Sequence, residues 1–482
     1  MGTFTLAYLK QWLLTNISCK WLKSSVIELS ALVIVFGFFI TVLTSCGGSA
    51  EERNIPIPQV PIDQTATGDL VLFVPDYSNL SDTMRRAIDI FRATYPHVNL
   101  DIEFFGTRNM FTPEIDAAYR LRLNNDLMVG TGADVIMFTS EMFQDIHKAM
   151  DAGVFLNLSP IMEETGFSMD GLNETVMDAG SYRGGRYFMP FAYFSPLLIT
   201  SQGRLDSIGF DMSRGGDFIS FFDEIDRALP MAMENPSFND IFGVFPFEML
   251  LAFSGISIVD YETRAILPDE DGFRAFIEVY KRYRPLGNAA VERGGRVDPL
   301  SAVITGHSIF IPVVAGLARD TFMHSAIKNV DTPVVMGLPN INGGMTSVVV
   351  SGLAIRAGTP NQLNAWNFIR IMLSEEVQTF NPLHPFSGFP VNNAALMATT
   401  DSRVRHATNP LLNMGNLPLT ALDDDDLAAH LALHETITDS QVLTSEVANI
   451  IYVVMEPFFN DDMSLDDAIP LLRSRLAIYV SE

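Results

Sequence analysis

Apolar and polar positions alternate with two different periods along most of this chain. "DLVLFV" (69–74) is a short apolar run suited to a buried strand. In "SDTMRRAIDIFRATY", Met84, Ile88 and Phe91 follow at helical spacing behind the cap candidates Ser81 and Asp82. Pro96 stops that helix, and "VNLDIEF" then puts Val98, Leu100, Ile102 and Phe104 on one face of a strand. Strand, helix and strand in this order predict a β-α-β unit, whose parallel pair is buried on both faces. A second helical pattern (113–128) leads through "GTGADVIMF", a glycine turn followed by another buried strand. The alternation predicts an open α/β sheet flanked by helices. Sheets of this kind bind ligands at the carboxyl ends of their strands. That rule points to Asp76 and Tyr77 after the first strand, and to Phe138 and Glu141 at the end of "DVIMF".

A chain of 482 residues is too long for one such sheet, so two lobes are expected. No Pro/Gly-rich boundary separates them after residue 68, which fits lobes joined by several chain crossings. No internal repeat or low-complexity tract is visible.

The N-terminal segment reads differently. An apolar run, "LSALVIVFGFFITVL" (29–43), follows Lys10, Lys20 and Lys23 and ends in small residues. This is the layout of a secretory signal, and the run is short for a permanent membrane span, which needs about 20 residues. Leu43-Thr44-Ser45-Cys46 resembles the bacterial lipobox, which makes residues 1–45 a lipoprotein signal peptide and Cys46 the diacylglyceryl-modified first residue of the mature protein. An uncleaved signal anchor is the alternative. Residues 46–68 carry no periodicity and read as a flexible tether. With Cys19 removed, no free thiol remains, so disulfides, a cysteine nucleophile and a thiolate metal site are all excluded.

The formal net charge is −26 at pH 7. A surface this acidic repels phosphate backbones and anionic headgroups, which excludes nucleic acid as a partner and disfavours a strongly anionic ligand.

Several stretches resemble, in order, the family 1 extracellular solute-binding proteins, relatives of maltose-binding protein that serve ABC importers. "AIDIFRATYPHVNLDIEF" is similar to the family's opening helix and second strand, and "LRLNNDLMVGTGADVIMF" to the entry into its third strand. "AGVFLNLSPIMEETG", "GGRYFMPFAYFSPLLIT" and "ITGHSIFIPV" follow in register. So does "GLPNINGGMTSVVVSGLAIRAGTPNQLNAWNFIRIMLSEEVQ", and "GFPVNNAAL" and "SLDDAIPLLRSRLAIYV" complete the series. The chain departs from the family at Gly306-His307, where Gly-Lys is usual, at Ile199-Thr200, and over residues 400–445. The resemblance implies a two-lobed periplasmic-binding-protein-like fold, each lobe an open α/β sheet, with several hinge crossings. On that pattern residues 69–190 and 339–389 form the N-lobe, and 191–338 and 390–482 the C-lobe. It implies a monomeric, membrane-anchored, extracytoplasmic protein that is not an enzyme. Such a protein captures a mono- or oligosaccharide between its lobes and delivers it to permease subunits with their ATPase. A surface sensor that presents the closed form to a membrane receptor is the alternative.

The family crossover "PFAYFSP" makes Phe191, Tyr193 and Phe194 the aromatic ligand candidates, since sugar C–H faces pack on flat rings. Carboxylates accept hydrogen bonds from hydroxyls, which adds Asp76, Glu141 and Glu248, the last a lone charge in "FPFEMLLAF". Trp366 in "AWNF" is assigned to the core. The acidic runs at 268–272, 422–427 and 460–467 lack the calcium-loop pattern, and two of them immediately precede helix patterns, where acidic residues favour the positive helix end. His430 and His434 share a helix face but lack a third zinc ligand. "RGGR" at 183–186 is read as a tight turn. No cofactor, metal or catalytic constellation is expected: "GxSxG" and a phosphate-cradling loop do not occur. A hydrolase would need paired carboxylates across one cleft.

Overall fold

The computed structural model describes residues 65–75, 80–105, 113–139, 145–238, 240–242, 246–292, 303, 305–313, 318–379, 388–406 and 420–481. The signal segment, Cys46 and most of the tether lie outside those residues, as do Asp76, Tyr77 and Glu141.

Among the described residues, ten strands build the two larger sheets. They are β1 (Gly68–Pro75), β2 (Val98–Phe105), β3 (Val135–Thr139), β4 (Phe188–Phe194), β5 (Leu197–Ser201), β6 (Ile311–Val313), β7 (Pro333–Gly337), β8 (Met345–Ile355), β9 (Phe389–Pro390) and β10 (Ile437–Val442). The larger sheet runs β9-β4-β8-β3-β1-β2, with β10 also paired to β8; the smaller runs β6-β5-β7. Helices α1 (Leu80–Thr94) and α2 (Pro113–Met128) link the first three strands, which are parallel as helical crossovers require. The spacing read from the sequence is the buried face of α1: Met84, Ala87, Ile88 and Phe91 are all covered. The helices that matter below are α3 (Ile146–Asp151), α4 (Phe218–Met233), α5 (Phe247–Phe253), α6 (Ala318–Lys328), α7 (Gln362–Met372), α8 (Asp424–His434), α9 (Ser445–Phe459) and α10 (Leu465–Ser481).

Asp134 anchors the entry to β3. Its buried carboxylate accepts the Val71 N–H at 2.8 Å, the Asn361 amide at 3.1 Å and the Thr359 hydroxyl, with Arg356 Nη2 at 3.5 Å. A charge held away from water needs this much company. The same contacts fasten β1, β3 and the approach to α7 to one another.

Among the described residues, most buried apolar side chains fall into two clusters, one on the larger sheet and one around α4, α5, α9 and α10. Trp366 belongs to the first; it is fully buried, meets Phe167 edge-on and donates its Nε1–H to Thr165 at 2.9 Å. The second is rich in phenylalanine: the Phe221 ring lies 5.5 to 6.3 Å from those of Phe222, Phe310, Phe210 and Phe242. Each such burial is worth about 1.5–3 kcal/mol, which accounts for the aromatic-rich composition without a membrane. No helix among the described residues is long and apolar enough to cross one.

Strand β8 serves both clusters. Its first half pairs with β10 and its second half with β3, while β4 runs along its other edge. Val348 is part of the second cluster, Val349 and Leu353 of the first. The segment without a family match, 400–445, supplies α8 and β10 among its described residues.

Candidate functional site

A cleft of about 780 Å³ lies between the two clusters. One wall comes from the first cluster's side, through His147 on α3, Asp178, and Tyr182. The second comes from α5 (Glu248, Leu251), the segment Gly255–Glu262 and Asn340. The third is β10 and the chain leading into α9, residues 438–444.

Local chemistry sets each wall. Asp145 caps α3, its Oδ1 accepting the His147 and Lys148 N–H groups at 2.9 and 3.3 Å, which fixes where His147 starts. Tyr182 stands at the end of a hairpin, Ser181–Tyr182 against Gly185–Arg186, closed by Arg183 and Gly184 at φ of 47° and 75°. This is the tight turn expected from "RGGR", in the left-handed conformation that two-residue hairpins need. Tyr261 sits in a second hairpin, Val259–Asp260 against Ala265–Ile266. There the Asp260 carboxylate accepts the Glu262 and Thr263 N–H groups at 2.9 and 3.0 Å and the Thr263 hydroxyl at 2.6 Å. These bonds hold the Asp260 carboxyl below its usual range.

The two hairpins close one end of the cleft. Tyr261 donates its hydroxyl to Asp145 Oδ2 at 2.6 Å, and Tyr479 of α10 donates to the same oxygen at 3.0 Å. The Tyr261 ring stacks on His147 at 4.2 Å. Arg183 adds a backbone N–H to Glu262 at 2.8 Å and a guanidinium bond to the Tyr261 carbonyl at 3.2 Å. Burial, then the Asp145 charge, pushes the Tyr261 and Tyr479 hydroxyls up, so both stay protonated donors. Burial lowers His147 in spite of Asp145 and Asp151, which keeps it neutral at pH 7.

Along β10, Asp439 Oδ2 accepts the Thr346 hydroxyl at 3.1 Å, and the Asn340 amide donates to Thr346 at 3.1 Å and Thr438 at 3.2 Å. The strand lies close against the Gly343-Gly344 turn. A Cβ on Gly344, whose φ is 79°, would stand 2.5 Å from Thr438 Oγ1.

Of the residues singled out from sequence, Glu248 lines the cleft. Phe138 lies in the first cluster, edge-on to Phe188 at 5.3 Å. Phe191 and Tyr193 are buried there too; the Phe191 carbonyl accepts the Gln378 amide at 3.2 Å and the Tyr193 hydroxyl pairs with His434 Nδ1 at 3.0 Å. Phe194 packs on the second cluster. None of these four rings lines the cleft. Phe138 lies on β3 and the other three on β4, and both strands are buried along nearly their whole length, so each is covered on both faces. The aromatic faces at the cleft are instead Tyr182 and Tyr261, and Asn340 and the β10 residues complete its polar lining. "RGGR", read from the sequence as a tight turn, marks the hairpin that carries Tyr182; Tyr261 lies in a different hairpin, Val259–Asp260 against Ala265–Ile266. His430 and His434 are buried and bond to His324 and Tyr193, each at 3.0 Å. Asp423 caps α8 and Glu270 opens the helix Glu270–Glu292, the helix-start roles read for the acidic runs.

No known family's sequence profile matches the chain, and no curated protein matches it in sequence. Solved structures do match its fold. The sugar-binding protein MalE from Xanthomonas citri is 14% identical over 86% of this chain and 97% of its own, with a TM-score of 0.60. A family 1 extracellular solute-binding protein from Alicyclobacillus acidocaldarius is 12% identical over 87% and 100%, with a TM-score of 0.56. The ABC substrate-binding protein Lmo0181 from Listeria monocytogenes, in complex with cycloalternan, is 13% identical over 86% and 100%, with a TM-score of 0.54. All three are binding proteins. The chain therefore has the two-lobed fold of the MalE-like solute-binding proteins, as the collinear motifs imply.

Proposed function

We propose that this protein is an extracytoplasmic solute-binding protein that encloses a saccharide between its lobes and delivers it to an ABC importer. The observation that carries the reading is the cleft of about 780 Å³ between two separate hydrophobic clusters, lined by Tyr182, Tyr261 and many hydrogen-bonding groups. Small-solute sites are about 300–1,000 Å³ and combine apolar faces with a few placed polar groups. The ligands named for fold neighbours, cycloalternan among them, support a saccharide. Ligand held by one wall recruits the other, so the closed form is favoured by its extra contacts. That closed form is what a permease reads, and Cys46, lipidated, keeps the protein at the membrane where the permease sits.

A thermal-shift screen against mono- and oligosaccharides, amino acids, peptides and polyamines tests the reading. Ligand at 100 times Kd stabilises the folded state by about 2.7 kcal/mol. A shift with saccharides that is lost in Tyr182→Ala is expected; shifts confined to amino acids or peptides refute the saccharide assignment. Metabolic labelling with a fatty acid, in wild type and Cys46→Ser, tests the anchor.

A further inference from the structure

The cleft's charge is lopsided. Asp178, Glu248, Asp260, Glu262 and Asp439 line it, and among the described residues no lysine or arginine does. Asp178 has Arg186 at 3.4 Å. The other four carboxylates have no described cationic side chain within ion-pair distance. Among the described residues their hydrogen-bond partners are backbone N–H groups, hydroxyls and the Gln441 amide. Glu248, in the first turn of α5, has none of these. Ser440 adds an Oγ that is buried without a partner, and His147 a buried, unpartnered Nδ1.

A neutral solute would close this cleft at a cost. Each carboxylate would give up water and receive only neutral donors, and an ion removed from water without a counter-charge costs several kcal/mol. An anion would be repelled outright. A metal ion does not suit the layout either: among the described residues no group of three or more His, Cys, Asp or Glu could hold one. The charges are spread along the cavity, which fits a solute carrying its positive charge on a larger frame. An ammonium group donates charge-assisted bonds to carboxylates, and these are about twice as strong as neutral ones.

We infer that the solute enclosed here is cationic, an ammonium-bearing saccharide such as an amino-sugar oligomer. The inference rests on the solute-binding reading above and specifies its ligand class. Glu248 and Asp439, from two different walls, receive the ammonium, and the tyrosine faces and the Asn340–Thr438 hydroxyl and amide network receive the sugar frame.

Calorimetric titration of the full chain with glucosamine oligomers, their N-acetylated counterparts and malto-oligosaccharides of equal length tests it. The first pair differs in the nitrogen's charge and in the acetyl group, and the malto-oligosaccharide, neutral without an acetyl group, separates the two effects. The glucosamine oligomer is expected to bind at least tenfold more tightly than either neutral series. Added salt should narrow the gap, and so should Glu248→Gln or Asp439→Asn, which weaken amino-sugar binding more than neutral-sugar binding. Neutral oligomers binding as tightly as the amino sugar overturn the inference and leave the solute-binding reading intact. Spermidine binding with no saccharide binding overturns it together with the saccharide assignment. Absence of binding by all three sugar series and by spermidine overturns both readings.

Discussion

Removing one oxygen, in Tyr261→Phe, tests whether the cleft is closed by the protein's own bonds. The Tyr261 hydroxyl reaches from a hairpin packed on the second cluster to Asp145, the cap of α3 on the first cluster's side. Hydrogen bonds to charged groups contribute about 1.5–3 kcal/mol net. At 1.4 kcal/mol per factor of ten, deleting this bond should shift an open–closed equilibrium toward open by roughly ten- to a hundredfold. The phenylalanine keeps the stack on His147, whose ring lies 4.2 Å away, and Asp145 keeps Tyr479 and two backbone donors. The substitution is therefore aimed at closure and leaves the packing in place. Small-angle scattering of the ligand-free protein should show a larger radius of gyration in Tyr261→Phe, and saturating ligand should restore the wild-type curve. Ligand affinity should fall by the fraction of closed form lost, because only the competent state binds. A variant with a lower melting temperature but unchanged scattering and affinity would show that the bond serves only stability, and the argument for a protein-built closure would fail.

Other sites make separate predictions. Asp240 is buried, its Oδ2 has no partner, and burial raises its carboxyl to about 6. The folded state then holds a proton that the unfolded chain releases near 3.8. Stability should fall as pH rises from 3.8 through 6, and Asp240→Asn should gain about 1–3 kcal/mol at pH 7 by urea denaturation. His324 bonds His430 and Asp426 at 3.0 Å each, with Lys328 on the same carboxylate, and burial, then His430, lowers it to about 4. The unfolded chain protonates first, so stability should fall as pH drops from 6.5 to 4, by up to about 3 kcal/mol, with a shallower slope in His324→Gln. Gly352 of β8 leaves 2.6 Å between a would-be Cβ and Phe138 Cζ, and Gly352→Ala should lower stability by about 1–3 kcal/mol through overpacking.

The β-α-β opening was legible because its signals are local. Met84, Ile88 and Phe91 repeat at the helical period, Pro96 ends the helix, and neither needs a distant partner to be read. Trp366 and "RGGR" were legible for the same reason. The crossover aromatics were not. "PFAYFSP" looks the same whether its strand borders a cavity or lies inside a sheet, and only pairing of β4 with both β9 and β8 decides for the interior. Tyr261 and Asp145 are separated by 116 residues, and a contact of that span leaves no periodic trace in either stretch.

The segment that departs most from the family carries the most consequential geometry. β10 pairs in parallel with Met345–Val349 of β8, and the register slips between Met345 and Thr346. A slip of this kind bends a strand and raises its twist, here at the first residues of β8, where Met345 still packs in the first cluster and Val348 follows in the second. The residues of β10 that hold this edge also line the cleft: Asp439 binds Thr346, and Thr438 binds Asn340. A solute that draws on Asp439 or Thr438 thus competes with, or reinforces, the bonds that set how β8 crosses between the clusters. Hinge motion absorbs its dihedral change at a few such positions. On the function proposed above, binding and the path of β8 would be coupled through Asp439 and Thr438, which bond Thr346 and Asn340 and also line the cleft.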